Sequence, residues 1–290
     1  MGSAGWSKVV TLLEMIKFSH TVFAFPFALM GAILAALASG RPPTAAQIGW
    51  ICLAMVGART AAMGLNRIID ARIDAQNPRT AGRPLPAGKV TLIESWLLVV
   101  AATVVLLLAA AMLNPLCLAL APVALGFFVL YAYCKRFSAM AHVVLGICLA
   151  AAPVGAWIAL RGDLDWPVLA LGAAVLLWVA GFDIFYALQD VDFDRAQGLH
   201  SIPVRLGIKN AILLGKLFHG GMIALLLLLP LGLPLGWIYY AGIAVISAMI
   251  AWEHQLVKPA DLSKLNAAFF NMNGYISVTI FAFTLADALI

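Results

Sequence analysis

Charge is scarce in this sequence. Lysine, arginine, aspartate and glutamate make up 11% of its 290 residues, against about 25% in a soluble domain, and that shortage excludes an ordinary water-soluble fold. Cysteine is scarce too. Cys52, Cys117, Cys134 and Cys148 sit in or beside apolar segments without C-x-x-C spacing, which favours buried free thiols over a metal or redox role. The opening MGSAGWSKVVTLLEMIKFSH lacks a compact signal-peptide core and a small-residue cleavage site, so the first apolar span is expected to stay in the mature protein. The net charge of +5 needs no nucleic-acid partner, because basic residues facing anionic lipid headgroups account for it.

What the chain has in excess is apolar length. At 64% hydrophobic residues, with segments long enough to cross ~30 Å of hydrocarbon, it reads as an all-α polytopic membrane bundle, one transmembrane domain over 1–290. Nine spans are expected, at 17–38, 45–69, 91–112, 115–134, 138–160, 166–190, 208–231, 233–252 and 265–287, with polar loops at 70–90, 191–207 and 253–264. With the N-terminus inside, only Arg41 and Arg161 of the 18 lysines and arginines fall outside, while Arg59 lies within the second span. That bias places the N-terminus and the polar loops in the cytoplasm and the C-terminus outside.

Against this background two stretches stand out, 66-NRIIDARID-74 and 183-DIFYALQDVDFD-194. Asn66, Asp70 and Asp74 are spaced by four and share one face of a helix. If the second helix persists through its motif, Asp183, Asp190 and Asp194 lie near one face with Tyr186 close by, and Asp192 points away as a loop or outer carboxylate. Asp70 and Asp190 are 120 positions apart, as are Asp74 and Asp194. Each pair precedes a basic loop, 79-RTAGRPLPAGKV-90 or 195-RAQGLHSIPVRLGIKN-210. This pattern predicts a parallel internal repeat, spans 1–4 against 5–8 with span 9 left over, and a central cavity opening to the cytoplasmic side.

Six of the thirteen acidic residues lie in these motifs. A carboxylate in the bilayer is costly and needs a cation, water or basic partners. Mg²⁺ suits oxygen ligands from few carboxylates plus substrate phosphates, and nearby arginines and lysines then oppose the phosphate charge. Structural salt bridges explain the duplicated D-x-x-x-D spacing less well. A charged diphosphate on a greasy tail fits such a cavity: a prenyl diphosphate, whose ionisation metal and dry walls would favour, with an electron-rich aromatic ring as acceptor.

The two motifs resemble the paired signatures of the UbiA superfamily of intramembrane aromatic prenyltransferases, N-x-x-x-D-x-x-x-D and D-x-x-Y-x-x-x-D-x-x-x-D, and the loop 79–90 is similar as well. The resemblance implies that Asn66, Asp70 and Asp74 hold one Mg²⁺ and Asp190 and Asp194 another. It makes Arg67, Arg72, Arg83 and Lys89 candidate diphosphate contacts, and puts Tyr131, Lys135 and Arg136 of 131-YAYCKRFS-138 in the same role. Asp183 and Tyr186 complete the second motif, with Asp183 orienting the acceptor or receiving its proton. His20 is either a packing residue or a contact to the acceptor's carboxylate or hydroxyl. Arg59, buried mid-span, faces the cavity or a carbonyl, with substrate-carboxylate binding a further reading. His142 and His219 are read as packing, His200 as a loop residue, and Asn271 and Asn273 as helix-to-helix hydrogen bonders.

The expected substrates are a polyprenyl diphosphate and a hydroxylated aromatic carboxylate, nominally 4-hydroxybenzoate, in the biosynthesis of ubiquinone or menaquinone. The opening 18-FSHTVFAFPFALMG-31 is similar to bacterial 4-hydroxybenzoate polyprenyltransferase-like proteins, and 1,4-dihydroxy-6-naphthoate is the alternative acceptor. A bacterial-type inner membrane is the expected location. A cation-coupled transporter is the competing class, but transporters commonly use inverted repeats with sites near the midplane, and here the repeat is parallel.

Overall fold

The computed structural model describes residues 2–16, 24–257 and 265–290, with only the backbone given for 2–7, 9 and 265–271. Among the described residues every regular element is helical. In chain order they are α1 (Gly2–Met15), α2 (Phe25–Ser39), α3 (Ala45–Gln76), α4 (Leu92–Leu113), α5 (Pro115–Cys134), α6 (Ala141–Arg161), α7 (Trp166–Ala187), α8 (Val191–Ala196), α9 (Ile202–Leu206), α10 (Ile208–Leu228), α11 (Trp237–Leu256) and α12 (Leu265–Ala288). Each of the nine expected spans overlaps a helix. Six stretches among the described residues are long and apolar enough to cross a membrane: Ala45–Gln76, Leu92–Leu113, Pro115–Cys134, Ala141–Arg161, Trp166–Ala196 and Ile208–Leu231. The α2 helix has 15 residues, about 22 Å at 1.5 Å per residue, and the start of the expected first span, 17–23, lies outside the described residues.

The lipid-facing side is plainest on α4. Ile93, Leu97, Val100, Val104 and Leu108 are exposed, while Ser95, Val99, Ala102, Leu106 and Ala109 on the other side are buried. A helical stripe of large apolar residues turned outward is the reverse of a water-soluble helix, and hydrocarbon is the solvent that accommodates it.

The helices fall into two compact units, Met1–Thr21 with Gly49–Tyr133, and Val22–Ile48 with Cys134–Ile290. In the first, α3 and α4 approach closely because Gly57 has no side chain. A Cβ there would lie 2.8 Å from the Ala102 carbonyl oxygen and the Leu106 nitrogen. Thr91 and Glu94 form a reciprocal capping box at the start of α4, satisfying two helix-end donors. Lys8 of α1 then pairs with Glu94 at 3.0 Å.

The second unit is built around α7. Its Val168, Leu171, Ala174, Val175, Trp178 and Val179 are fully buried, and the core also takes in Phe27, Met30 and Leu34 of α2, Trp157 of α6, and Tyr239 and Ile246 of α11. A Cβ on Gly31 of α2 would collide with the backbone of Pro153 in α6. Gly181 and Gly215 open the α7–α10 contact, making room for His219 and Phe185; small residues that let backbones close in are the usual means of packing helices in lipid. The expected division into spans 1–4 and 5–8 does not coincide with these units, since α2 packs beside α6.

Candidate active site

In the first unit, α3 runs unbroken through 66-NRIIDARID-74 and continues to Gln76, so the four-residue spacing becomes a real helical face. Asp70 and Asp74 are buried on it. Asn66 Nδ2 donates to Asp70 Oδ2 at 3.2 Å, and Arg67 Nη1 donates to Asn66 Oδ1 at 3.2 Å. Arg67 Nε is held by the Met15 carbonyl at 3.2 Å, anchoring the guanidinium at the end of α1. Downstream, Thr80 Oγ1 donates to the Asp74 carbonyl at 3.0 Å and turns the chain back. That return brings Arg83 onto Asp74, Nη1 to Oδ2 at 2.6 Å, with Arg67 Nη1 3.9 Å from the same oxygen.

The first cluster carries more cation than anion. Arg67 lies within electrostatic reach of Arg83, Asp74, Tyr131 and Asp70, and Arg59 within reach of Arg67. Two guanidinium groups therefore face the two carboxylates, and a third, Arg59, stands behind Arg67. Arg59 Nε is buried without a hydrogen-bond partner among the described residues, and such a group is costly unless a ligand satisfies it. Arg72 and Lys89 are exposed, and neither is brought to a motif carboxylate. Arg72 stands two residues from both Asp70 and Asp74, on roughly the opposite side of the helix.

The second motif lies in the second unit and departs from the expected continuous helix. α7 ends at Ala187, a 3₁₀ turn spans Leu188–Asp190, and α8 resumes at Val191. The Leu188 N–H reaches the carbonyls of both Phe185 and Tyr186, tightening the turn so that Asp183 and Asp190 sit on different elements. Asp190 and Asp194 are four residues apart and lie close enough to repel, with Lys135, His142 and the Ser201 side chain near Asp194. The loop folds over them: Leu199 N donates to the Asp194 carbonyl at 2.8 Å and His200 N to the Lys135 carbonyl at 2.7 Å. Tyr186 packs on the apolar core. Asp192 is fully exposed, 3.9 Å from Arg195, as an outer carboxylate should be.

His142 differs from the packing residue expected. Its Nδ1 lies 2.7 Å from Asp183 Oδ2 and its Nε2 accepts from the Ile202 N–H at 3.3 Å. No motif spacing links 142 to 183; the one available signal was that a histidine in an apolar span needs polar partners. His219, also read as packing, does pack: it stacks on His254 with ring centroids 5.0 Å apart. His20 and the side chain of Asn271 lie outside the described residues, and Asn273 is buried. Lys135 and Arg136 are half-buried at the end of α5.

Both motifs offer hard oxygen donors. Among the described residues no group of three or more His, Cys, Asp or Glu is assembled that could hold a metal ion, so a metal here would draw remaining ligands from substrate oxygens, Asn66 or water. Mg²⁺ fits that donor set, since it is commonly held by one or two carboxylates plus phosphates.

The model of the UbiA prenyltransferase family matches residues 24–275. The 4-hydroxybenzoate octaprenyltransferase of Nitrosospira multiformis is 32% identical over 235 residues, 80% of this chain and 79% of that protein. Its Vibrio campbellii counterpart is 29% identical, covering 77% and 78%. Among solved structures, the apo UbiA homolog from Aeropyrum pernix K1 is 36% identical with a TM-score of 0.83, covering 93% of this chain and 98% of that one. The Archaeoglobus fulgidus UbiA homolog bound to GPP and Mg²⁺ shares the fold at 18% identity and a TM-score of 0.72, covering 97% and 100%.

Proposed function

The chain belongs to the UbiA prenyltransferase family, and from that premise we propose that it transfers a polyprenyl group from a polyprenyl diphosphate to a ring carbon of a hydroxylated aromatic carboxylate. It is an integral membrane prenyltransferase, which sets the transporter reading aside. The nominal acceptor is 4-hydroxybenzoate, as the names of the relatives favour, and the product belongs to quinone biosynthesis. The whole chain acts as one domain in a bacterial-type inner membrane, with its polar loops in the cytoplasm.

The observation that carries this reading is the buried Asp70–Asp74 pair set beside Arg67 and Arg83, with Arg59, whose Nε has no hydrogen-bond partner among the described residues, within reach of Arg67. Neutralising two aspartates needs only two cations, so the surplus guanidinium suits an anionic substrate. Asn66, Asp70 and Asp74 would hold one Mg²⁺ and Asp190 and Asp194 another, and the metal when bound offsets the charge of the departing diphosphate. Arg67 and Arg83 grip diphosphate oxygens, with Tyr131, Lys135 and Arg136 as further contacts. Arg59 receives the acceptor's carboxylate. Apolar side chains keep water from the allylic cation, and Asp183 accepts the proton that the ring releases once the new carbon–carbon bond forms.

Purified protein given Mg²⁺, a polyprenyl diphosphate and a panel of aromatic acids is expected to release pyrophosphate and form a C-prenylated acid, read by mass spectrometry. Asp70→Ala and Asp190→Ala each abolish turnover while the bundle still purifies folded. Product from 1,4-dihydroxy-6-naphthoate alone would move the acceptor assignment to that acid. Full activity in both aspartate variants would defeat the metal assignment.

A further inference from the structure

Resting on the prenyl-transfer reading, we propose that His142 is a positioning residue that holds the Asp183 carboxylate in one orientation for the aromatic acceptor. The backbone sets the state of the ring. Ile202 N–H can only donate, so His142 Nε2, which receives it at 3.3 Å, carries a lone pair. The proton of the neutral imidazole then sits on Nδ1. Nδ1 is 2.7 Å from Asp183 Oδ2, so this proton points at the carboxylate in a charge-assisted bond. A doubly protonated ring would set an N–H against the Ile202 N–H, donor against donor.

One Asp183 oxygen is thereby clamped. The other accepts no hydrogen bond from the described residues, and the side chain stays 19% exposed while that of His142 is 5% exposed. A carboxylate with one oxygen fixed and one open presents a directed acceptor for a phenolic hydroxyl or a ring proton. The clamp reaches further than Asp183. Ile202 follows Ser201, which caps α9 by accepting from Val204 N at 3.4 Å and whose side chain lies beside Asp194. One two-residue stretch therefore neighbours Asp194 directly and reaches Asp183 through His142. His219 makes the contrast, since among the described residues its hydrogen-bonding partners are a second histidine and the Trp178 carbonyl, and its ring packs on Phe185.

The test is a kinetic cycle on the full-length protein, with Mg²⁺-dependent binding of prenyl diphosphate as an independent readout. His142→Ala should lower kcat by about 10²-fold, the usual cost of a misplaced reacting group, while prenyl diphosphate affinity stays within about twofold. His142→Gln, whose amide offers both a donor and an acceptor, should regain most of kcat. His142→Ala should cost nothing further in the Asp183→Asn background. His142→Leu, closer to histidine in size, takes the place of His142→Ala if the latter does not accumulate. Multiplicative losses in the double variant, equal losses in the alanine and glutamine variants, or a parallel fall in diphosphate binding would each overturn the proposal. With wild-type turnover established and Asp70→Ala inactive, any of these outcomes removes the positioning role and leaves prenyl transfer standing.

Discussion

At the scale of single residues, the first cluster depends on Arg83. It supplies the 2.6 Å bond to Asp74, whereas Arg67 stands 3.9 Å from the same oxygen and is committed to Met15 and Asn66. A hydrogen bond to a charged group contributes about 1.5–3 kcal/mol, so Arg83→Ala is expected to lower kcat/KM for the prenyl diphosphate by roughly 10–100-fold. Arg83→Lys should recover only part, because an ammonium lacks the two-pronged guanidinium geometry. Steady-state kinetics at varied prenyl diphosphate measures both, and an unchanged kcat/KM in Arg83→Ala would remove the residue from substrate binding. Asp70 and Asp74 were legible from sequence because four-residue spacing defines a face within one unbroken helix. The same rule applied to Arg72 puts it on the far side, where the structure leaves it exposed. His142 was not legible as a partner of Asp183, because a contact across 41 residues leaves no local pattern.

At the scale of elements, apolar runs announce helices well and their interruptions poorly. The break between α7 and α8 has neither proline nor glycine to mark it, and α8 and α9, of six and five residues, are too short for a periodic signal. α3 exceeds its expected span because its last turns are polar and hydropathy ends where the helix does not. Helix contacts are equally hidden in sequence, and Gly31 shows why. Glycine in a membrane helix is common, but only the fold reveals that this one admits the Pro153 backbone. Gly31→Val must push α2 off α6 or distort α6, an overpacking cost of about 1–3 kcal/mol. A thermal denaturation series in detergent should show the midpoint falling by several degrees, while Gly49→Val, whose Cβ meets nothing within 4 Å, leaves it unchanged. Equal midpoints for the two variants would mean that the α2–α6 contact is loose.

At the scale of the whole molecule, the question is how often the chain crosses and which way. The first unit carries an argument of its own. Met15, at the end of α1, bonds to Arg67, and Lys8 bonds to Glu94 and to the Lys89 carbonyl, so α1 lies at the motif end of α3. Ala45, where α3 begins, is about 33 Å from Arg67 at 1.5 Å per residue, more than the ~30 Å hydrocarbon core. α3 is therefore long enough to cross by itself. With Arg79, Arg83 and Lys89 on the loop that follows, the motif end of α3 is expected to face the cytoplasm under the positive-inside bias. In a cysteine-free background, single cysteines at Lys8 and Arg79 should react with an impermeant maleimide only in inside-out vesicles, and one at Arg41 only in right-side-out cells. A periplasm-active reporter fused after Ile290 should be active if the crossings number nine. Activity of the same fusion in a cytoplasmic format would make the count even. α11 would then be the first suspect for the missing crossing, because Glu253 is buried near its end with neither oxygen hydrogen-bonded to a described residue, and a carboxylate left so in hydrocarbon is costly.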